Sequence, residues 1–175
     1  DVKNRPGEIK MGSTGPGGLP YGVGAMLGTQ GEFNIIPVPF DGDGPAITAL
    51  LGGHVDFLPS GYTATSEHIR AGRLRALAVV NDEEIELLPG IPPLTQDYPA
   101  FKKFLPWGPF YGVFIDKDAP DSVKTKLTEA FHQGATDPAF EKFVTDFGAI
   151  QMNVSGEEAN VFLEKWQSVT TWLLH

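Results

Sequence analysis

Four runs of strand character, each joined to the next by a short helix, occupy the first 80 residues, and their order limits the chain to an α/β architecture. Glu8 to Ser13 alternates polar and apolar residues and ends in a glycine-rich turn. Leu19 to Thr29 reads as a helix of small residues. Phe33 to Phe40 is a second strand whose prolines suit an edge or an irregular end. A helix follows from Asp41-Gly42-Asp43-Gly44-Pro45 through Leu51, with Gly52 and Gly53 behind it, in the usual order of proline inside the start and glycine past the end. His54 to Leu58 is a third strand, Thr63 to Arg70 a third helix, and Leu74 to Val80 a fourth strand. The fourth is nearly all apolar, as in parallel sheets covered on both faces. Right-handed crossovers are the default for such connections.

The second half has a different balance. Residues 81–106 read as a connector with a helix near 94–98, and Trp107 to Ile115 as one more strand. A helix headed by Asp118 or Asp121 then carries Val123, Leu127, Ala130 and Phe131 on one stripe. A second starts at Asp137-Pro138, turns Phe140, Phe143, Val144 and Phe147 inward, and stops at Gly148. A third follows Ser155-Gly156-Glu157-Glu158, the pattern of a capping box, and places Phe162, Trp166, Val169 and Leu173 at helical spacing. Three apolar-striped helices thus follow a single strand. They are expected to pack on a sheet encoded by residues absent here or supplied by another molecule.

Composition removes several classes of function. The net charge of −9, with 13 scattered basic residues, argues against nucleic acid as a partner, because phosphate neutralisation needs clustered Lys and Arg. No apolar run is long enough to span a bilayer as a helix. With no cysteine there are no disulfides, thiol nucleophiles or thiolate metal sites. His54, His68, His132 and His175 are isolated, without metal-ligand spacing. The chain opens at Asp1 without Met or a leader, which reads as a processed or truncated product.

Loops at the carboxyl ends of parallel strands converge on one crevice. Three loops here hold that position: Ser13 to Gly18, Asp41 to Gly44, and Pro59 to Tyr62. Each contains glycine and leads into a helix start, where unsatisfied N–H groups and a partial positive charge attract anions. Hydroxyls of Ser13, Thr14, Ser60 and Thr63 are candidate additional donors. The pattern predicts a small anion held by neutral donors, with no cofactor and no catalytic group. Rival motifs are weaker. Gly12-x-x-Gly15-x-Gly17 followed by Asp41 is similar to a dinucleotide fingerprint, yet Pro20 stands where the third glycine should pack. That leaves a dinucleotide-binding oxidoreductase domain as the alternative. No Gly-Lys-Ser or Gly-Lys-Thr completes a P-loop, and Gly52 stands where a calcium loop starting at Asp41 needs a bidentate Glu.

The same residues carry a likeness to a known family. Gly12-Ser13-Thr14-Gly15-Pro16-Gly17-Gly18, Val38-Pro39-Phe40-Asp41-Gly42, Leu50-Leu51-Gly52-Gly53-His54-Val55-Asp56 and Ile69 to Val79 occur in the family's order. Leu88-Pro89-Gly90-Ile91-Pro92-Pro93-Leu94, Trp107-Gly108 and Asp137-Pro138-Ala139-Phe140 follow. The chain resembles the solute-binding receptors of tripartite tricarboxylate transporters, the Bug-type receptors, over essentially its whole length. Gly18, Tyr21 and Pro93 depart from that family's usual Ser, His and Thr. The resemblance implies a periplasmic-binding-protein type II-like fold, a periplasmic location and a small organic carboxylate delivered to membrane permease subunits. It implies one complete lobe with a parallel-rich sheet over residues 1–106. Residues 107–175 would be the hinge strand and helical return segment of the other lobe, whose main part would precede Asp1. An incomplete first lobe leaves pairing with a second copy open, as a dimer or a domain-swapped pair. In this reading Ser13, Thr14, Gly15, Gly17 and Gly18 hold one carboxylate, and Phe40, Asp41, Gly42, Ser60, Gly61 and Tyr62 line the facing wall.

Overall fold

In the computed structural model, residues 3–15 and 17–174 are described, without the side chains of 170 and 172–174, so Pro16, Leu173 and His175 contribute no side-chain observation. Two compact units emerge. One comprises the chain through Gly108 together with the segment from Trp166, and the other is Pro109–Lys165.

The first unit is built on a short parallel pair, β1 (Lys10–Ser13) and β2 (Ile36–Pro39), in register from Lys10↔Ile36 to Ser13↔Pro39. Helix α1 (Leu19–Gly31) makes the crossover between them. Its packing depends on absent side chains: a Cβ on Gly22 would lie 2.7 Å from the Trp107 ring, and one on Gly24 would meet the Met11 thioether. Helix α2 (Asp43–Leu51) follows β2 and buries Ala46, Ile47 and Ala49. Helix α3 (Tyr62–Arg70) ends with His68 and Arg70 in its last turn, where cations suit the helix dipole.

The third expected strand, His54 to Leu58, forms only a parallel bridge, Met11↔Phe57. Its side-chain chemistry explains the interruption: the Asp56 carboxylate accepts the Lys10 N–H at 2.8 Å, a donor that a ladder would give to a backbone carbonyl. The segment still lies along β1. Gly12 N–H donates to the Phe57 carbonyl, while the Ile9 and Ser13 carbonyls accept from Ile36 and Phe40 on the opposite edge. The fourth expected strand is not regular either. Val79 bridges to Pro93, but 75–78 make no backbone hydrogen bond among the described residues. Trp107 to Ile115 likewise forms no strand. A strand exists only against a partner; the 74–80 segment meets one only at Val79, where residues 92–94 lie beside it, and 109–115 find none within their own unit among the described residues.

The connector is more than a connector. Helix α4 (Leu94–Asp97) and a 3-10 segment, Pro99–Phe104, place Phe101 and Phe104 against Val23 and Met26 of α1, in the main core cluster. Phe33, Tyr98, Phe101 and Phe104 contact one another edge to face in sequence. Trp166 returns to this unit and donates its indole N–H to the Gly108 carbonyl at 2.9 Å.

The second unit contains α5 (Asp121–Ala135), α6 (Pro138–Phe147) and most of α7 (Gly156–Leu174). Pro120 is the residue before α5, so neither Asp118 nor Asp121 is its cap; Asp121 lies in the first turn. Asp137 does cap α6, accepting the Ala139 N–H at 2.8 Å, and Gly148 closes it in the left-handed region. Neither α5 nor α6 buries any residue. The inward stripe expected of Phe140, Phe143 and Phe147 stacks on itself and stays exposed.

Candidate functional site

The hydrogen bonding of β1 sets the geometry. Lys10 and Gly12 face the 56–57 segment, and Ile9 and Ser13 face β2, so β1 lies between its two parallel neighbours. All three segments run the same way and end at one edge. Neighbouring strands are about 4.8 Å apart, so the three loops that leave them are adjacent. Ser13 to Gly18, Asp41 to Gly44 and Pro59 to Tyr62 therefore leave from one edge, with the loop after β1 between the other two.

Each loop delivers its chain to a helix in the same manner. The residues preceding α1, α2 and α3 are Gly18, Gly42 and Gly61, and no side chain caps any of the three starts. A glycine there supplies no side-chain oxygen to its helix, so first-turn N–H groups stay available to an outside acceptor, apart from Pro20 and Pro45, which have none, and Ala64, which donates to the Gly61 carbonyl. Gly42 sits at φ 100°, and Gly15 and Gly17 at φ 84° and 86°, conformations that L side chains rarely adopt. A Cβ at Gly15, Gly17, Gly42 or Gly44 would meet nothing within 4 Å, so the backbone here borders open space. Gly18 is different: a Cβ there would run into the Thr14 hydroxyl, which closes over it.

The side chains divide by role. Ser13 is fully buried, and its Oγ accepts the Gly15 N–H at 3.4 Å, so it shapes the first turn from inside. Ser60 Oγ is buried without a hydrogen-bond partner at the mouth of α3, a donor and acceptor left unused by the protein. Asp43 occupies the first turn of α2, whereas α1 and α3 carry no acidic residue in theirs. Asp41 is exposed in the loop after β2, and Phe40 and Tyr62 are half-buried. Among the described residues no group of three or more His, Asp or Glu could hold a metal ion.

A second concave surface was not anticipated from the sequence. A groove of about 840 Å³ lies in the first unit between α3 and residues 72–77 and 87–92, and Tyr62, Arg70 and Arg75 are among its lining residues. The signal available was the spacing of Arg70, Arg73 and Arg75 beside an apolar run, which reads first as the end of a helix and the start of a buried strand.

Comparison with known proteins agrees with this architecture. The model of the tripartite tricarboxylate transporter family receptor matches residues 1–170. A Pseudomonas knackmussii protein described as a UPF0065 protein in the clcB-clcD intergenic region is 32% identical over 149 residues, covering 81% of this chain and 85% of that one. A solved periplasmic transporter superposes with a TM-score of 0.76 at 26% identity, over 99% of this chain and 56% of its own. R. palustris Rpa4515, solved with adipate, superposes with a TM-score of 0.77 at 18% identity, over 98% of this chain and 56% of that one, and so speaks for the fold. The chain spans about half the length of four further curated relatives, between 41% and 52%. The family is one of solute-binding receptors and not of enzymes, which displaces the dinucleotide-binding alternative. With a family model matched over nearly every residue and the periplasmic-binding-protein fold beneath it, the chain belongs to the tripartite tricarboxylate transporter receptor family.

Proposed function

We propose that the chain forms the carboxylate-gripping part of a periplasmic receptor that passes a small organic acid to the permease subunits of a tripartite transporter. The observation that carries this is the set of three helix starts, each preceded by glycine and none capped by a side chain, at one edge of three parallel segments. Amide donors fixed by the fold need no reorganisation to receive a carboxylate, and the helix dipoles favour its charge. Thr14 and Gly17 hold one carboxylate, while Ser13, Gly15 and Gly18 shape their turn, the Gly15 N–H donating to Ser13 Oγ and the Gly18 N–H to the Gly15 carbonyl. Phe40, Asp41, Gly42, Ser60, Gly61 and Tyr62 form the wall around the rest of the ligand. Support comes from the orphaned Ser60 hydroxyl, the open space at Gly15, Gly17 and Gly42, and a neighbour of the same fold solved with adipate.

Residues 1–106 serve as the second lobe, and 107–175 as a hinge and return segment of the first. The exposed apolar faces of the Pro109–Lys165 unit support that assignment, since a return segment is completed by other polypeptide. Closure of the two lobes around ligand is then a population shift driven by contacts to both.

Isothermal calorimetry on the chain tests the reading. Adipate, malate and citrate are titrated in turn, with NAD as control. Heat from at least one acid, lost in Gly61→Glu, is the expected result. A Cβ at Gly61 meets only Thr63 Oγ1, at 3.7 Å, so that variant folds while placing a carboxylate at the α3 start. Heat that survives Gly61→Glu, or heat from NAD alone, overturns it.

A further inference from the structure

We propose that Trp107 is a positioning residue for the ligand: its ring backs the first turn of α1 and so fixes where the free amide donors of that helix point. This rests on the carboxylate reading above and adds to it a residue outside the three loops. Helix α1 has little in its own sequence to hold its start. Gly18 precedes it, no side chain caps it, its first turn carries no acidic residue, and Gly22 and Gly24 follow close behind. Glycines inside a helix weaken it relative to alanine. Packing supplies what the sequence lacks. Gly22 is buried beneath the Trp107 ring, where a Cβ would lie 2.7 Å from Cη2 and 2.8 Å from Cζ2. The same half-buried side chain packs on the cluster of Val23, Met26, Phe101 and Phe104, so it reaches from the core to the helix start.

The donors lie directly ahead of this contact. The Gly22 N–H donates to the Gly18 carbonyl at 3.1 Å and closes the first turn. Pro20 has no N–H, and among the described residues the Leu19 and Tyr21 N–H groups have no backbone acceptor. Those two groups are what α1 can offer a carboxylate, and the ring holds the turn that carries them. The other two helix starts are built differently. A Cβ at Gly42 or Gly44 would meet nothing within 4 Å, and one at Gly61 would meet only Thr63 Oγ1. The backbone beside the ring is itself held. Gly108 sits at φ 140°, and its carbonyl accepts the Trp166 indole N–H where the chain re-enters this unit. Donors are effective when the residues beneath them are locked by packing and hydrogen bonds.

Calorimetry of the full chain with adipate, malate and citrate is the test, with each variant measured below its unfolding midpoint. Gly22→Ala drives a methyl group into the ring, and Trp107→Leu removes the ring. Each is expected to weaken the acid that binds the parent about tenfold, the worth of one hydrogen bond to a charged acceptor. Combined, the alanine and leucine fill each other's space, and most of the affinity returns. Phe33→Leu, beyond the carboxyl end of α1, loses an edge-to-face contact with Tyr98; it lowers the midpoint and leaves affinity unchanged. In fluorotryptophan-labelled parent, the fluorine resonance that Trp107→Leu abolishes shifts as acid is added. If the parent binds an acid that Gly22→Ala and Trp107→Leu bind equally well, the proposal falls and the carboxylate site stands. A loss in Phe33→Leu equal to that in Gly22→Ala also overturns it, because stability alone then explains both. Should Gly22→Ala not fold, Trp107→Leu and the fluorine signal decide, and a Trp107 resonance unmoved by saturating acid overturns the proposal. No heat from the parent with any of the acids overturns the carboxylate reading, and this proposal with it.

Discussion

The two units treat similar residues in opposite ways. In the first, aromatic and apolar side chains on α1, β1 and the 3-10 segment are enclosed: Met11, Met26 and Phe101 are 1–2% exposed. In the second, Phe131, Phe140, Phe143 and Phe147 are 45–61% exposed, although they lie on helices with a far clearer apolar stripe than α1. The difference lies in what the backbone provides to cover them. The first unit has a parallel pair with a third segment beside it, and helices that cross back onto it. The second has three helices and no strand of its own. An apolar stripe specifies that a helix should be buried, but the surface that buries it can come from elsewhere.

Single truncations measure that contrast most directly. Phe101→Ala in the first unit removes a ring that packs against Val23, Met26 and Phe104, and is expected to cost about 3–5 kcal/mol in urea unfolding. Phe143→Ala in the second removes a ring that is 61% exposed, and is expected to change stability by no more than about 0.5 kcal/mol. Equal losses from both would show that the second unit is buried in solution by a partner, and would redraw the comparison.

The same substitution at two glycines sharpens the contrast by sign. Gly22→Ala pushes a methyl group into the Trp107 ring, 2.7 Å from the added Cβ, and is expected to cost about 1–3 kcal/mol. Gly134→Ala, in α5 of the second unit, meets nothing within 4 Å and relieves the entropic penalty of a helical glycine, for a gain of about 0.5–1 kcal/mol. Thermal unfolding of the two variants should therefore move in opposite directions.

These contrasts also show how far the residues alone could be read. The alternation of runs and glycine turns placed α1, α2, α3 and the two strands within a few residues, because each is specified by local turn chemistry and local periodicity. The convergence of the three loops followed from parallel topology. What failed were the expected strands at 54–58, 74–80 and 107–115, and for different reasons. At 54–58 a side chain, Asp56, takes a ladder position, which no period-two pattern reveals. At 74–80 the pattern is sound but a partner meets it only at Val79, and 107–115 forms no strand, since pairing is a property of two segments. Phe101 and Phe104 were passed over because proline and lysine around them break any periodicity, although their rings fill the core. In the candidate site, the glycines were legible as turns. That all three helix starts lack side-chain caps, and that Ser13 faces inward, required coordinates.

Within the second unit, local interactions should dominate stability wherever packing is absent. Asp137 is the strongest of them, since its Oδ1 satisfies the Ala139 N–H at the start of α6. Asp137→Ala is expected to cost about 1 kcal/mol, read as lost helicity and a lower midpoint. Asp137→Asn keeps the acceptor and should retain most of it. If the alanine variant cost nothing, α6 would be held by contacts that its exposed rings do not suggest.

The smallest effect belongs to the ion pair one turn further along. Lys142 Nζ lies 2.7 Å from Asp146 Oδ2 at the i, i+4 spacing, but both side chains are mostly exposed. Solvent screens the attraction, and two long side chains lose rotamer freedom to hold it, so Lys142→Ala should cost less than about 0.5 kcal/mol. The order is also unfavourable, because an acidic residue on the amino-terminal side suits the helix dipole and here the lysine comes first. Raising the salt concentration should erase the residual difference between the variant and the parent. A penalty that survived high salt would mean that the pair is shielded from water, and hence that α6 is covered by something beyond its own unit. The weakest contact in the helix is thus a sensitive reporter of whether this region stands uncovered.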